Sequence, residues 1–233
     1  EFSSYCFFRR IEPQDSPDEY ALLHVPAAWR KAIPGLLVAA THIELRGVAE
    51  VPLATVLHQQ SRHGQALAAS AVSDGAGWVL TDFHLHDGFS HFLLLDNGFT
   101  PRQAGRIAQR LVEIETYRVM ALLAFPVAKE VGRLVSRAED ELADLMDGMG
   151  QSRTAEDDRA VLTRLSRLAA DVERSVARTS FRFGAAAAYY RLVRQRIDDL
   201  REQRLPGYSP IGEFMDRRLV PAIDTCTSIA RRQ

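Results

Sequence analysis

The chain has 233 residues, 46% of them hydrophobic, which is enough for one large domain or two modest ones with a sizeable core. Lys+Arg number 29 against Asp+Glu 30, so the strongly one-sided charge of a general nucleic-acid binder is excluded and no nucleic-acid partner is expected. No apolar run approaches the roughly 20 residues that a membrane span needs; the longest, Val119 to Ala128, is interrupted by Pro126.

Residues 2 to 10 are aromatic-rich and read as a strand, followed by a polar loop with two prolines from 11 to 19. Pro26 to Ile33 reads as a short helix starting on proline, with Trp29 turned inward. Leu36 to Leu45 is apolar and reads as a strand, placed centrally. Leu53 to Gln60 suits a short helix, and Ala66 to Val72 a weaker, alanine-rich strand. Gly77 to His86 and Phe89 to Leu95 form a hairpin about the turn dipeptide Asp87-Gly88. This predicts a head of about five strands and one or two helices.

Beyond Asn97-Gly98 the pattern changes to long helices. Thr100, Pro101 and Gln103 make a capping box with proline at the first helical position. Ile107, Leu111, Ile114, Tyr117 and Ala121 follow at three-four spacing. Val119 to Ala128 is apolar on every side, which predicts burial all round, and Pro126 predicts a bend. Val131, Val135, Ala138, Leu142 and Leu145 carry the stripe to about Asp147. Gly148 to Arg153 is a break, and Thr154 with Asp157 caps the next helix. There Leu165, Leu168, Val172, Val176, Thr179, Phe183, Ala186, Tyr190, Val193, Ile197 and Leu200 form a near-heptad stripe. A helix of about 45 residues is about 70 Å long, too long for the head alone to cover, so it is expected to pack antiparallel on the first. After Leu205-Pro206-Gly207-Tyr208 a third helix starts at Ser209-Pro210, with Ile211, Met215, Leu219, Ala222, Cys226 and Ile229 on one face and a bend at Pro221.

Four segments in order, EFSSYCFFR, GFTPRQAGRIAQRLVEIETYRVMALL, TSFRFGAAAAYYRLVRQRIDDLRE and GEFMDRRLVPAIDTC, resemble a bacterial family of uncharacterised membrane-anchored proteins, domain of unknown function 3422. The resemblance implies transmembrane segments beyond Gln233 and brings no activity or catalytic residues. The order of parts is also similar, as architecture, to the CorA-type magnesium transporters. The opening without methionine and the helical pattern still running at Ile229 fit an expectation that the chain is part of a longer protein.

Three constellations are candidates for chemistry. On the hairpin, period two puts Asp82, His84 and His86 on one face, and a two-residue turn sets His91 across from His84. Imidazoles and a carboxylate so placed suit a zinc-like ion; the alternative is a polar sheet face backed by Phe83, Leu85 and Phe92. Glu139, Asp140, Glu141, Asp144 and Asp147 end the first long helix, and Glu156, Asp157 and Asp158 begin the second. The second group complements a helix N-terminus, while the first opposes the dipole and needs another reason, such as divalent cations or a basic partner. Arg164, Arg167, Arg174, Arg178, Arg182, Arg191, Arg194 and Arg196 go round the second helix, some within reach of Glu113 and Glu115. Cys6 and Cys226 have no metal spacing and fit a reducing compartment. Catalytic and phosphate-binding signatures do not occur.

The expected fold is α+β: an α/β head with a mixed sheet at 1–97, then three long helices at 98–233 as an antiparallel coiled-coil-like stalk leading to a membrane anchor. The expected function is a non-enzymatic binding or assembly module whose partners are the membrane and a second copy, with the soluble part in the cytoplasm. No cofactor is assigned beyond a possible divalent metal. The alternatives are a CorA-like divalent-cation transport or sensing domain and a metal-dependent enzyme using the hairpin histidines.

Overall fold

A computed structural model describes residues 3–10, 20–49, 52–61, 67–149 and 154–233. Its contacts divide the chain into two units, Glu1–Val38 and Ala39–Gln233. In the smaller unit residues 3–10 are not a strand. Their aromatic side chains instead gather on helix α1 (Ala27–Lys31), where Tyr5 and Phe7 meet Trp29 edge-on at 5.7 and 5.8 Å. Trp29 is 45% exposed rather than inward. The aromatic content that favours a strand is satisfied here by ring packing.

The larger unit carries a six-stranded mixed sheet built from β1 (Thr41–Gly47), β2 (Ala68–Val72), β3 (Gly77–Thr81), β4 (Leu85–His86), β5 (Phe89–Asp96) and β6 (Gln203–Arg204). The order is β1-β5-β3-β2-β6, with β4 also on β5. Only β1–β5 is parallel among the named pairs. The apolar run from Leu36 becomes a strand only at Thr41, and that strand lies at the edge rather than the centre. The sixth strand, two residues long, comes from beyond the longest helix and pairs with β2 through Ser70↔Arg204 and Ala71↔Gln203.

The predicted strand Gly77 to His86 is interrupted. β3 pairs with β5 through Leu80↔Leu93, whereas β4 pairs through Leu85↔Ser90, so two extra residues lie on the β3–β4 side. Asp82 causes the break: its Oδ1 accepts the His84 backbone N–H at 2.9 Å, a local bond that competes with the sheet ladder. Phe83 takes a left-handed conformation with φ +54° and buries its ring against Phe92 and Phe214. The Asp87-Gly88 turn has φ +52° and +85°, as a tight hairpin of this type requires.

The sheet is covered on both faces. On one, Val72, Val79, Phe92 and Leu94 pack against Ile107, Leu111 and Ile114 of α3 (Pro101–Leu122), Val193 and Leu200 of α5 (Ala155–Leu200), and Ile211 and Met215 of α6 (Ile211–Arg218). On the other, Ala69, Leu80 and Leu95 pack on Val56 of α2 (Leu53–Ser61). Each fully buried leucine or isoleucine there contributes about 1.5–3 kcal/mol. Strands and long helices therefore share one core.

The long helices follow the capping signals. Thr100–Gln103 and Thr154–Asp157 both form complete capping boxes. Prolines divide the first and third helices. α3 passes into α4 (Ala124–Met149) at Leu123, and α6 into α7 (Val220–Arg232) at Leu219, because Pro126 and Pro221 lack the N–H that would bond Leu122 and Arg217. Leu123 is 44% exposed, so the apolar segment from Val119 to Ala128 is not buried all round. A second core joins Ala128, Val131 and Val135 of α4 with Phe183 and Ala186 of α5 and Cys226 and Ile229 of α7.

Candidate functional site

The polar corner of the sheet holds a row of imidazoles contributed by three strands. Parallel pairing sets His42 of β1 beside His91 of β5, with ring centroids 5.1 Å apart. His91 also meets His86 of β4 at 5.5 Å. Phe89 stacks on His42 at 4.2 Å. Asp82 anchors the other end, its Oδ2 2.8 Å from Nε2 of His86. Because the register shifts at Asp82–His84, His91 faces His86 rather than His84. His84 instead turns its Nδ1 to the Asp82 carbonyl at 3.0 Å. So the structure gathers His86, His91 and Asp82, sets His84 to one side, and adds His42. Among the described residues no three His, Cys, Asp or Glu side chains are arranged to hold a metal ion.

Burial pushes the His42 pKa down to about 4, with His91 adding to the effect. Burial also lowers that of His91, reinforced by His86 and opposed by a bond to the His86 backbone and by Asp82 and Asp87. Both rings are therefore neutral at pH 7.

A second polar feature lies within the core. Glu115 is 1% exposed and accepts bonds from Ser90 Oγ at 2.5 Å and from Arg118 Nε and Nη2 at 2.7 and 2.6 Å. The partner expected for Glu115 was an arginine of the second long helix; Arg118 on its own helix takes that place. Arg196 does reach Glu113. Near the C-terminal end of α5, Glu202 accepts the backbone N–H groups of Ile211 and Gly212 at 2.8 and 2.9 Å and the Ser70 hydroxyl at 2.5 Å. This carboxylate caps α6 and fastens it to the sheet. Arg194 pairs with Asp216, and Arg204 with Glu213. These charges are engaged structurally.

The outer halves of α4 and α5 differ. The buried apolar cluster stops at Val135 on α4 and at Phe183 on α5. Farther out, Leu145 is buried, while Leu142, Met146, Met149 and Leu162 are exposed. The buried seam of α5 passes through Ser175 and Thr179, so Val176, taken as a seam residue, is 37% exposed instead.

The acidic residues expected at this end are divided. Glu139 binds Arg232, and Glu141 binds Arg164 at 3.4 Å. Glu156, Asp157 and Asp158 occupy the first turn of α5, where Asp157 closes the capping box. Asp144 and Asp157 line one open depression together with Leu145, Val161 and Arg164. Asp140, Asp144 and Asp147 make no ion pair with another described residue.

The eight arginines expected to go round α5 do so as a set, but the five of them on its outer half share one side. At 3.6 residues per turn Arg164, Arg167, Arg174, Arg178 and Arg182 fall within an arc of about 80°. Arg174 pairs with Asp171 at 2.7 Å. Arg167, Arg178 and Arg182 are exposed and make no ion pair with a described residue. His42 and the one-sided arginine row, three of whose five members make no ion pair with a described residue, are what sequence reasoning missed. The row was legible in the three-four spacing of the arginines; the place of His42 was not.

A family model described as "Protein of unknown function (DUF3422)" matches residues 1–233. No curated protein and no solved structure matches the chain.

Proposed function

The chain belongs to this family of unknown function, and from that premise we propose that it is a non-enzymatic binding and assembly module. One observation carries the reading. On a scaffold whose inner polar groups bond one another, the outer halves of α4 and α5 leave apolar side chains in solvent and both signs of charge unpaired. Leu162 is 64% and Met146 66% exposed there. An antiparallel, coiled-coil-like stalk is the finer form of this proposal, supported by the alternating seam Val161, Leu165, Leu168 and Val172. Anchorage to a membrane, with this part in the cytoplasm, belongs to the proposal as well and rests on the family resemblance alone. No helix among the described residues is long and apolar enough to cross a bilayer.

The test shortens the arm where Glu141 and Arg164 meet, replacing residues 141–164 by a four-residue Gly/Ser turn in the complete protein. Cell fractionation and native gels then compare it with wild type. The expected result is a folded protein that stays in the membrane fraction and runs in a smaller assembly. An unchanged assembly mass removes the binding role of the arm, and recovery of wild type in the soluble fraction removes the anchorage. Magnesium-dependent assembly that survives the deletion points instead to divalent-cation transport or sensing.

A further inference from the structure

Strand β1 has a neighbour on one side only. β5 pairs with it, and among the described residues its other edge is open. Ser90 donates its N–H to the Ala40 carbonyl, and Val48 donates to that of Asp96, both at 2.9 Å. The register between them runs one to one without a bulge. Even-numbered residues therefore turn their backbone groups to β5, while Thr41, Ile43, Leu45 and Gly47 turn theirs outward. No described residue bonds those outward groups. Sheet edges are ordinarily blunted by proline, lysine or a bulge, and β1 has none of these.

The strand is complementary to itself in reverse. Period two puts Glu44 and Arg46 on one face and Leu45 on the other. Leu45 stands beside Leu94 in the register; Leu94 is fully buried, whereas Leu45 is 43% exposed. When a second copy of β1 runs antiparallel with Leu45 opposite Leu45, Ile43 falls opposite Gly47 and Glu44 opposite Arg46. The outward-facing residues then exchange backbone bonds. Glu44 and Arg46 occupy the intervening pairs, where side chains approach most closely and Cα atoms lie about 4.5 Å apart. Each Arg46 already pairs with Glu44 of its own strand, so the four charges alternate in sign around the axis. The neighbouring registers that keep the outward groups paired set Glu44 against Glu44 or Arg46 against Arg46, which like-charge repulsion disfavours.

We propose that β1 pairs antiparallel with β1 of a second copy, centred on Leu45, and continues the sheet through a two-fold axis. The arrangement is isologous and closes at two chains. It goes beyond the assembly reading above: the arm deletion leaves β1 in place, so either interface can fail without the other.

The experiment is sedimentation velocity of the 26.0 kDa chain from about 1 to 500 µM. A seam of one strand pair is small, so a reversible dimer in the micromolar range is expected. Leu45→Pro removes an outward N–H and no bond to β5, and should weaken the dimer at least tenfold. Glu44→Arg and Arg46→Glu each set like charges opposite one another and should weaken it at least threefold. The two together restore opposite charges and should bring the dimer back. Helicity by circular dichroism is expected to be unchanged in these variants; if Leu45→Pro disturbs it, the charge reversals decide the matter. In a Cys6→Ser background, Leu45→Cys should form a disulfide-linked dimer under mild oxidation, because its paired Cα atoms lie about 5.5 Å apart. Thr41→Cys, about 27 Å from its copy in this register, should not. A monomer throughout the range overturns the proposal. So does a dimer indifferent to the charge reversals, a double reversal weaker than either single one, or cross-linking through Thr41→Cys in preference to Leu45→Cys.

Discussion

His42 sits between Phe89, stacked on it, and His91, edge-on to it, on a sheet corner with His86, Asp82 and Asp87 beyond. Its pKa is about 4 in the folded chain against 6.5 for a freely solvated imidazole, so between these limits the unfolded state binds more protons. Stability on this account is complete above about pH 6.5 and declines as pH falls toward 4. His91 acts in the same direction. The urea midpoint of the wild type is expected to drop between pH 7.5 and 4.5, and that of His42→Gln to drop less. Parallel curves for the two proteins across this window would show that the row plays no such part. The hairpin histidines could be read from the sequence because Asp87-Gly88 sets their pairing locally. His42 could not, because it joins the row through a parallel strand pair whose register no short turn dictates.

At the scale of the element, α5 is one helix with two energetic halves. Its inner half buries Phe183, Val193, Ile197 and Leu200 against strands and neighbouring helices. Its outer half shares a narrow seam with α4. Phe183→Ala is therefore expected to cost about 3–5 kcal/mol in chemical denaturation, through lost burial and a cavity. Leu162→Ala on the same helix should stay within about 0.5 kcal/mol. A large loss at Leu162 would mean that its side is covered within the chain. The capping boxes at Thr100 and Thr154 and the breaks ahead of Pro126 and Pro221 follow from bonds spanning three or four residues, and these were legible. The break at Asp82–His84 combines a local carboxylate bond with a remote aromatic pocket for Phe83. Alternation by itself reads straight through it.

At the scale of the larger unit, sheet and helices are not separate layers of stability. β6 arrives from beyond α5, Glu202 ties α6 to β2, and Ser90 holds Glu115 beneath the sheet. Local opening should therefore be graded by distance from this shared core. Amides of residues 140–147 and 156–170 are expected to exchange with deuterium much faster than those of 107–121 and 186–200. Equal protection along the whole of α5 would contradict a core that ends at Phe183.

The sequence by itself determined the caps, the hairpin turn and the places where prolines interrupt the helices. Each depends on a bond or a steric clash between near neighbours in the chain. Only the tertiary structure decided the parallel pairing of β1 with β5, the sixth strand from beyond α5, the half of that helix that is buried, and the meeting of His42 with His91. Those depend on which distant surfaces fit together, and periodicity shows that a face is apolar without showing what covers it.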